Sequence, residues 1–242
     1  MSAGMNTGIN ASKKIEALEQ MIDYVFMKKE LVMEALTHSS YANERKIRKI
    51  NCNERLEFLG DAVLEQAVSV YLFHHYPKMP EGRLTRLRAA LVCEQALAYA
   101  ANEIHLGDYI FLGKGEEVNA GRKKPSVISD AMEALIGALY LDGGEEAVHA
   151  FIMTYILSNV EEREKAFVDH KSALQELVQA GNMGVISYRI IGEYGPEHQK
   201  EFEVELKINE NKISVGRGRN KKAAEQAAAY EALNTLRTAD GE

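Results

Sequence analysis

The sequence predicts an all-α domain followed by a small α+β domain of order α-β-β-β-α. Three observations carry this. Apolar residues recur at helical spacing over most of the first 160 positions, and almost no strand pattern appears before residue 185. The charged stretch Glu161-Glu162-Arg163-Glu164-Lys165 then separates two regions of different character. Beyond it, Phe202-Glu203-Val204-Glu205-Leu206-Lys207-Ile208 alternates apolar and charged residues strictly, the pattern of a half-buried strand.

Taken in order, residues 1–11 are expected to be loose. Lys13 to Tyr24 and Lys29 to Leu36 read as two short helices. His38 to Ala42 and the basic run Arg45-Lys46-Ile47-Arg48-Lys49 read as a loop, with His38 in a structural role at a helix end rather than as a general base. A long helix starts at Asn53-Glu54-Arg55, and Tyr76-Pro77-Lys78-Met79-Pro80-Glu81-Gly82 is a turn punctuated by Pro and Gly. Arg83 to Ala101 reads as one long helix with Leu84, Leu87, Leu91 and Leu97 on its buried side. Arg83, Arg86 and Arg88 bunch at its start, where the helix dipole does not call for bases, which favours a phosphate contact. Gly107 to Gly121 is loop-like; its Leu112-Gly113-Lys114-Gly115-Glu116 does not fit a nucleotide-binding loop. An apolar helix around Asp130, a turn at Asp142-Gly143-Gly144 and a helix from Glu145 to Val160 complete the first domain.

In the second domain, Ser172 to Ala180 is a short amphipathic helix. Ser187–Ile191, Phe202–Ile208 and Lys212–Gly216 are the strands, and Asn220 to Leu236 is an Ala-rich helix. Lys212, Arg217, Arg219, Lys221 and Lys222 fall in a segment, 211–222, with no acidic residue. Lysines in the first turn of a helix oppose its dipole, unless an anion arrives to use the free N–H groups and the ammonium groups together. A generic α/β module with solvated lysines is the blander alternative.

The net charge of −7 argues at first against a nucleic-acid partner. Its distribution matters more, because residues 1–168 carry 19 basic and 24 acidic side chains while residues 169–237 carry 10 of each. Cys52 and Cys93 sit in no CxxC or Cys/His cluster, so neither a zinc site nor a disulfide framework is indicated. No apolar run approaches a membrane span, and the N-terminus lacks the apolar region of a signal peptide. A cytoplasmic protein with no membrane partner is expected.

The helix from Asn53 sorts into two faces at about 100° per residue. Leu56, Leu59, Val63, Ala67 and Val70 form an apolar stripe. Glu54, Glu57, Asp61 and Glu65 lie within roughly 80° of one another on the opposite side. Like charges so placed repel each other, and a solvated acidic face is the bland reading. Phe58, about 140° from the centre of the apolar stripe, instead requires cover from outside the helix's own core contact. A second acidic pair, Asp130 and Glu133, provides the only charges in the apolar run Val127–Leu139. Two helices presenting carboxylates to one cleft suit a hard divalent cation and metal-assisted phosphodiester chemistry.

Asn53-Glu54-Arg55-Leu56-Glu57-Phe58-Leu59-Gly60-Asp61 resembles the signature of the ribonuclease III family. The likeness continues through Pro80-Glu81-Gly82-Arg83-Leu84-Thr85-Arg86-Leu87-Arg88-Ala89 and Asp130-Ala131-Met132-Glu133-Ala134-Leu135-Ile136-Gly137, and covers about Leu31 to Leu236. It implies an all-α endonuclease domain (12–160, catalytic and dimerising), a linker (161–168) and an α+β double-stranded-RNA-binding domain (169–238). It also implies a homodimeric, Mg²⁺-dependent endoribonuclease, with Mn²⁺ as a substitute and no small-molecule cofactor. Such an enzyme cuts both strands of duplex RNA, including rRNA precursors and structured mRNAs, leaving 5′-phosphate and 3′-hydroxyl ends. On this resemblance Glu57, Asp61, Asp130 and Glu133 are metal ligands, with Asp61 and Glu133 catalytic. Glu54 and Glu81 are supporting acids, and Phe58 inserts into the partner subunit. Gln175 and Gln179 face a minor groove, the loop Gly195-Pro196-Glu197-His198 enters a second, and Lys221 and Lys222 grip phosphates between them. Cys52 departs from the pattern, standing where a His is common. Two other classes compete: a duplex-RNA-binding protein whose helical domain only dimerises, and a DNA-directed metal nuclease. The four carboxylates disfavour the first, and the α-β-β-β-α module the second.

Overall fold

The computed structural model describes residues 2–45, 52–162, 169–196 and 200–239. The basic residues 46–49, most of the expected linker and His198 lie outside the described residues. The chain divides into two compact units, Met1–Phe167 and Val168–Glu242.

The first unit is helical: α1 (Ser2–Ile22), α2 (Lys29–Ala35), α3 (Ser39–Glu44), α4 (Glu54–His75), α5 (Glu81–Val92), α6 (Glu94–Glu103), α7 (Lys114–Val118) and α8 (Pro125–Tyr155). Its largest internal contact is between α4 and α8. Helix α8 opens with Pro at its first position, where the missing N–H costs nothing. From Val127 to Leu139 it buries residues on every side, as a helix at the centre of a core does.

Four expectations need correction. Helix α1 starts at Ser2, so residues 2–11 are helical where a loose segment was expected. His38 accepts the Ser40 N–H at Nδ1, 3.2 Å, and this cap lets Ser39–Glu44 form a short helix where a loop was expected. The single helix from Arg83 to Ala101 is two, broken at Cys93, whose backbone is extended (φ −69°, ψ 157°). No Pro or Gly marks this break; it allows α5 to pack on α4 while α6 packs on α8. Finally, the buried line of α4 is Leu56, Gly60, Leu64, Val68 and Leu72, whereas Val70 is 47% exposed. A stripe drawn through large apolar side chains passes over Gly60, the point of closest approach to α8.

The turn expected at Asp142–Gly144 is a single non-helical residue, Gly144 (φ 71°, ψ −161°), within α8. Asp142, buried just before it, accepts from the Met27 N–H (2.9 Å), the Lys28 N–H (2.8 Å) and the Tyr24 hydroxyl (2.8 Å). Burial works against its charge, yet these donors hold the Asp142 carboxyl below its ordinary range. Burial and Asp142 together push the Tyr24 hydroxyl up to about 12. Asp142→Asn is expected to cost ~1–3 kcal/mol at pH 7 by weakening three part-buried hydrogen bonds at once. Because the folded carboxyl titrates below the unfolded one, its contribution is complete above about pH 4 and fades as pH falls further. Thermal melts at pH 7 and pH 3 check both statements, and a gap between variant and parent that stays constant across that range contradicts the second.

The second unit holds α9 (His170–Ala180), β1 (Ile186–Tyr194), β2 (Glu201–Ile208), β3 (Asn211–Gly218) and α10 (Lys221–Ala239). The strands form one antiparallel sheet in the order β1-β2-β3. Val204, Leu206 and Ile208 of β2 face Leu174, Val178, Ala224 and Ala228 in the core, as their alternation predicts. The Asp169 side chain caps α9 through the Ser172 N–H, and the Asn220 side chain accepts from the Ala223 N–H at the start of α10.

Candidate active site and RNA-binding face

At the α4–α8 crossing, backbone lies against backbone. A Cβ added to Gly60 would stand 1.8 Å from the Glu133 carbonyl oxygen, and one added to Gly137 would stand 2.3 Å from that of Leu56. The crossing therefore brings the Glu57/Asp61 pair of α4 against the Asp130/Glu133 pair of α8. Their electrostatics register this. Glu133 is raised to about 8, first by burial and then by Asp61, Glu57 and Asp130. Glu57 is raised by burial and then by Asp130, Glu54 and Asp61. Burial also pushes Asp130 up; His38 and the Ser129 hydroxyl pull it back, and Glu94 adds to the rise. Carboxylates that share a site titrate as a group.

Glu54 thus stands with the four, through its effect on Glu57. Glu81, in the first turn of α5, accepts from the Thr85 hydroxyl at 2.8 Å. Sequence reasoning missed Glu94 as a neighbour of Asp130, because it fell mid-way along a helix assumed continuous; in the structure it opens α6. His38 has the expected helix-end role and is also a neighbour of Asp130. The expected phosphate contact at the start of α5 finds no support in Arg88, whose Nη1 donates to Ser69 Oγ on α4 at 2.9 Å.

Among the described residues, no three His, Cys, Asp or Glu side chains stand close enough to form a finished metal-binding set. The donors are nonetheless of the right kind: carboxylate oxygens only, from two helices in contact, with an excess of negative charge that a hard divalent cation would offset.

Phe58 is 82% exposed, and Phe73, also 68% exposed, shares its face four turns along α4.

In the second unit, Gln175 and Gln179 are exposed one turn apart on α9. They line an open cleft of about 410 Å³ with Lys171, Val178, Ile186 and Tyr188. Lys221 and Lys222 are exposed in the first turn of α10. Two other cations of the basic segment differ. Arg217 reaches Glu203 at 2.8 Å, and Lys212 lies 3.7 Å from Glu205, which Arg189 also holds at 2.9 Å. Burial opposes the charge of Glu205, but Arg189, Lys207 and Lys212 hold its carboxyl below the ordinary range. The segment looked free of acids because its partners come from β2 across the ladder.

Residues 28–160 match the family model described as ribonuclease-III-like, and residues 170–236 match that of the double-stranded RNA binding motif. The chain belongs to the ribonuclease III family. It is 49% identical over 228 residues to ribonuclease 3 of Geobacillus kaustophilus, covering 94% of this chain and 93% of that protein. Ribonuclease 3 of Halalkalibacterium halodurans is 48% identical over 222 residues, 91% and 84% of the two chains. Among solved structures, the nuclease domain of ribonuclease III from Campylobacter jejuni aligns at a TM-score of 0.56 and 48% identity, over 60% of this chain and 97% of that one. The fold class is therefore a helical ribonuclease III nuclease domain followed by a double-stranded-RNA-binding domain, and the function is endonucleolytic cleavage of double-stranded RNA. Membership of this family implies a divalent metal. No helix among the described residues is long and apolar enough to cross a membrane.

Proposed function

We propose that Glu57, Asp61, Asp130 and Glu133 together hold Mg²⁺, which Mn²⁺ can replace, and that the chain hydrolyses both strands of duplex RNA to 5′-phosphate and 3′-hydroxyl ends. The observation that carries this is the meeting of the two carboxylate pairs at the α4–α8 crossing, where Glu133 is raised first by burial and then by the other three. A divalent cation bound there supplies a Lewis acid that activates water and offsets charge developing at phosphorus. The protein's own share is positioning. Rigid helices fix where the four carboxylates stand, and Asp61 and Glu133 face one another across the crossing. Glu54 deepens the negative field, and Glu81 supports it from α5.

Two copies are inferred to pair through Phe58, giving one cleavage centre per strand. A C. jejuni relative has a region involved in dimer formation in its nuclease domain, which agrees with this. The domains are assigned as 12–160 and 169–238 with a linker between. The substrates inferred are rRNA precursors and structured mRNAs. Purified protein incubated with a long RNA duplex, and with its DNA counterpart, should cut only the RNA and only when Mg²⁺ is supplied. Binding without cleavage in Mg²⁺ would favour a duplex-RNA-binding protein instead.

RNA capture is assigned to Gln175 and Gln179 at a minor groove, to the Gly195–His198 loop at a second, and to Lys221 and Lys222 on phosphates between them. Changing both lysines to Ala should weaken unrelated duplexes alike and flatten the dependence of log K on log salt by roughly two ion releases. Lys212→Ala with Arg217→Ala should flatten that slope less, because Arg217 pairs with Glu203 and Lys212 stands beside Glu205. Fluorescence anisotropy across a salt series measures both, and equal slopes for the two double variants would refute the division.

A further inference from the structure

Gly60 and Gly137 lie inside α4 and α8, where glycine is a poor helix former. Neither has a positive φ, so no backbone conformation requires glycine at either place. What each position requires is the absence of a side chain. The contacts interleave with the carboxylates: Gly60 rests on the carbonyl of Glu133 itself, and Gly137 rests on the carbonyl of Leu56, the residue before Glu57. A shift at either glycine thus passes straight to Glu57, Asp61 or Glu133, with no side chain between to absorb it. Further along the same line of α4, Leu64 and Val68 fill the interface with ordinary apolar side chains.

We propose that Gly60 and Gly137 are positioning residues, whose backbone-to-backbone contact sets the spacing between the two carboxylate pairs and so tunes the affinity of the site for its divalent cation. The inference rests on the assignment of the four carboxylates as the metal site. Gly137→Ala brings its Cβ to 2.3 Å from the Leu56 oxygen, and α4 and α8 must part by about 1 Å to relieve it. Ordinary packing loss would lower stability alone; a change of spacing moves the metal isotherm.

The test is Mn²⁺ binding to the full-length protein without RNA, followed by electron paramagnetic resonance, beside RNA affinity in Ca²⁺ and melting temperature. Gly137→Ala should weaken Mn²⁺ binding by ~10–100-fold and slow single-turnover cleavage by about 100-fold, with RNA affinity unchanged. Leu64→Ala, a cavity on α4 further along its buried line, should lower the melting temperature and leave the Mn²⁺ isotherm in place. Should Gly137→Ala fail to fold, Ala134→Ser takes its place. It lies three residues earlier on the same face and adds one atom, and it should shift the isotherm in the same direction by a smaller factor. A folded Gly137→Ala, or Ala134→Ser in its stead, with the Mn²⁺ affinity of Leu64→Ala overturns the proposal. Glu133→Gln separates the two levels: if it too leaves Mn²⁺ binding intact, the metal-site assignment itself is wrong.

Discussion

Glu133→Gln is expected to give a protein that binds duplex RNA normally and cuts it at least ~100-fold more slowly, because on the proposed assignment one ligand of a shared cation and its charge are lost. The same substitution should raise the thermal stability of the metal-free protein near pH 8. A carboxyl whose folded pKa lies near 8, against an ordinary value of 4.5, favours folding only while protonated. Its penalty is absent below about pH 4.5 and grows until pH passes 8. With solvent screening discounted, relief of that penalty is on the order of 1–2 kcal/mol. A purely structural carboxylate, satisfied by a nearby Arg, predicts the reverse: lower stability and near-normal turnover per folded molecule. Single-turnover cleavage, RNA affinity and melts at pH 5 and pH 8 on one preparation decide between them. Near-normal cleavage at saturating Mg²⁺ would remove Glu133 from the catalytic set.

Phe58→Ala should shift the protein from dimer to monomer at micromolar concentration. A ring 82% exposed in the single chain, on one face with Phe73, is a large apolar group without cover in its own unit. If it is fully buried between two copies, its loss costs up to ~3–5 kcal/mol of association, a dissociation constant higher by roughly two to three orders of magnitude. The fold of each subunit should be untouched, since the side chain packs on nothing central. Sedimentation velocity of parent and variant provides the measurement, and a monomeric parent at that concentration would end the idea.

Much of this was legible beforehand, and the reasons differ by element. The alternation of Phe202–Ile208 and the Ala-rich run after Asn220 fix the second unit through local periodicity alone. Asp130 and Glu133 stood out because charge inside an apolar helix is conspicuous. Glu57 and Asp61 lie on an acidic stripe that also reads as a solvated face, and the family resemblance singled them out. What stayed hidden depends on contacts distant in sequence. Gly60 has no side chain to count, so the buried line of α4 was drawn on its neighbours. Cys93 breaks a helix without any breaker residue because two flanking segments pack on different partners. Lys212 and Arg217 looked free because the acids that engage them belong to another strand. Glu94 was invisible for want of the break before it.

The pairing on the outer face of the sheet has a kinetic meaning. Glu203 and Glu205 sit under Arg217, Arg189 and Lys212, so a phosphate arriving at that face finds part of the positive charge there already offset. On the proposed assignment, the sheet face of the RNA-binding unit is then less adhesive than its basic side chains alone suggest. A polyanion as long as duplex RNA collides with every side of a small domain. Muting the wrong side keeps such encounters brief, so less enzyme is idled in orientations that lead to no cut.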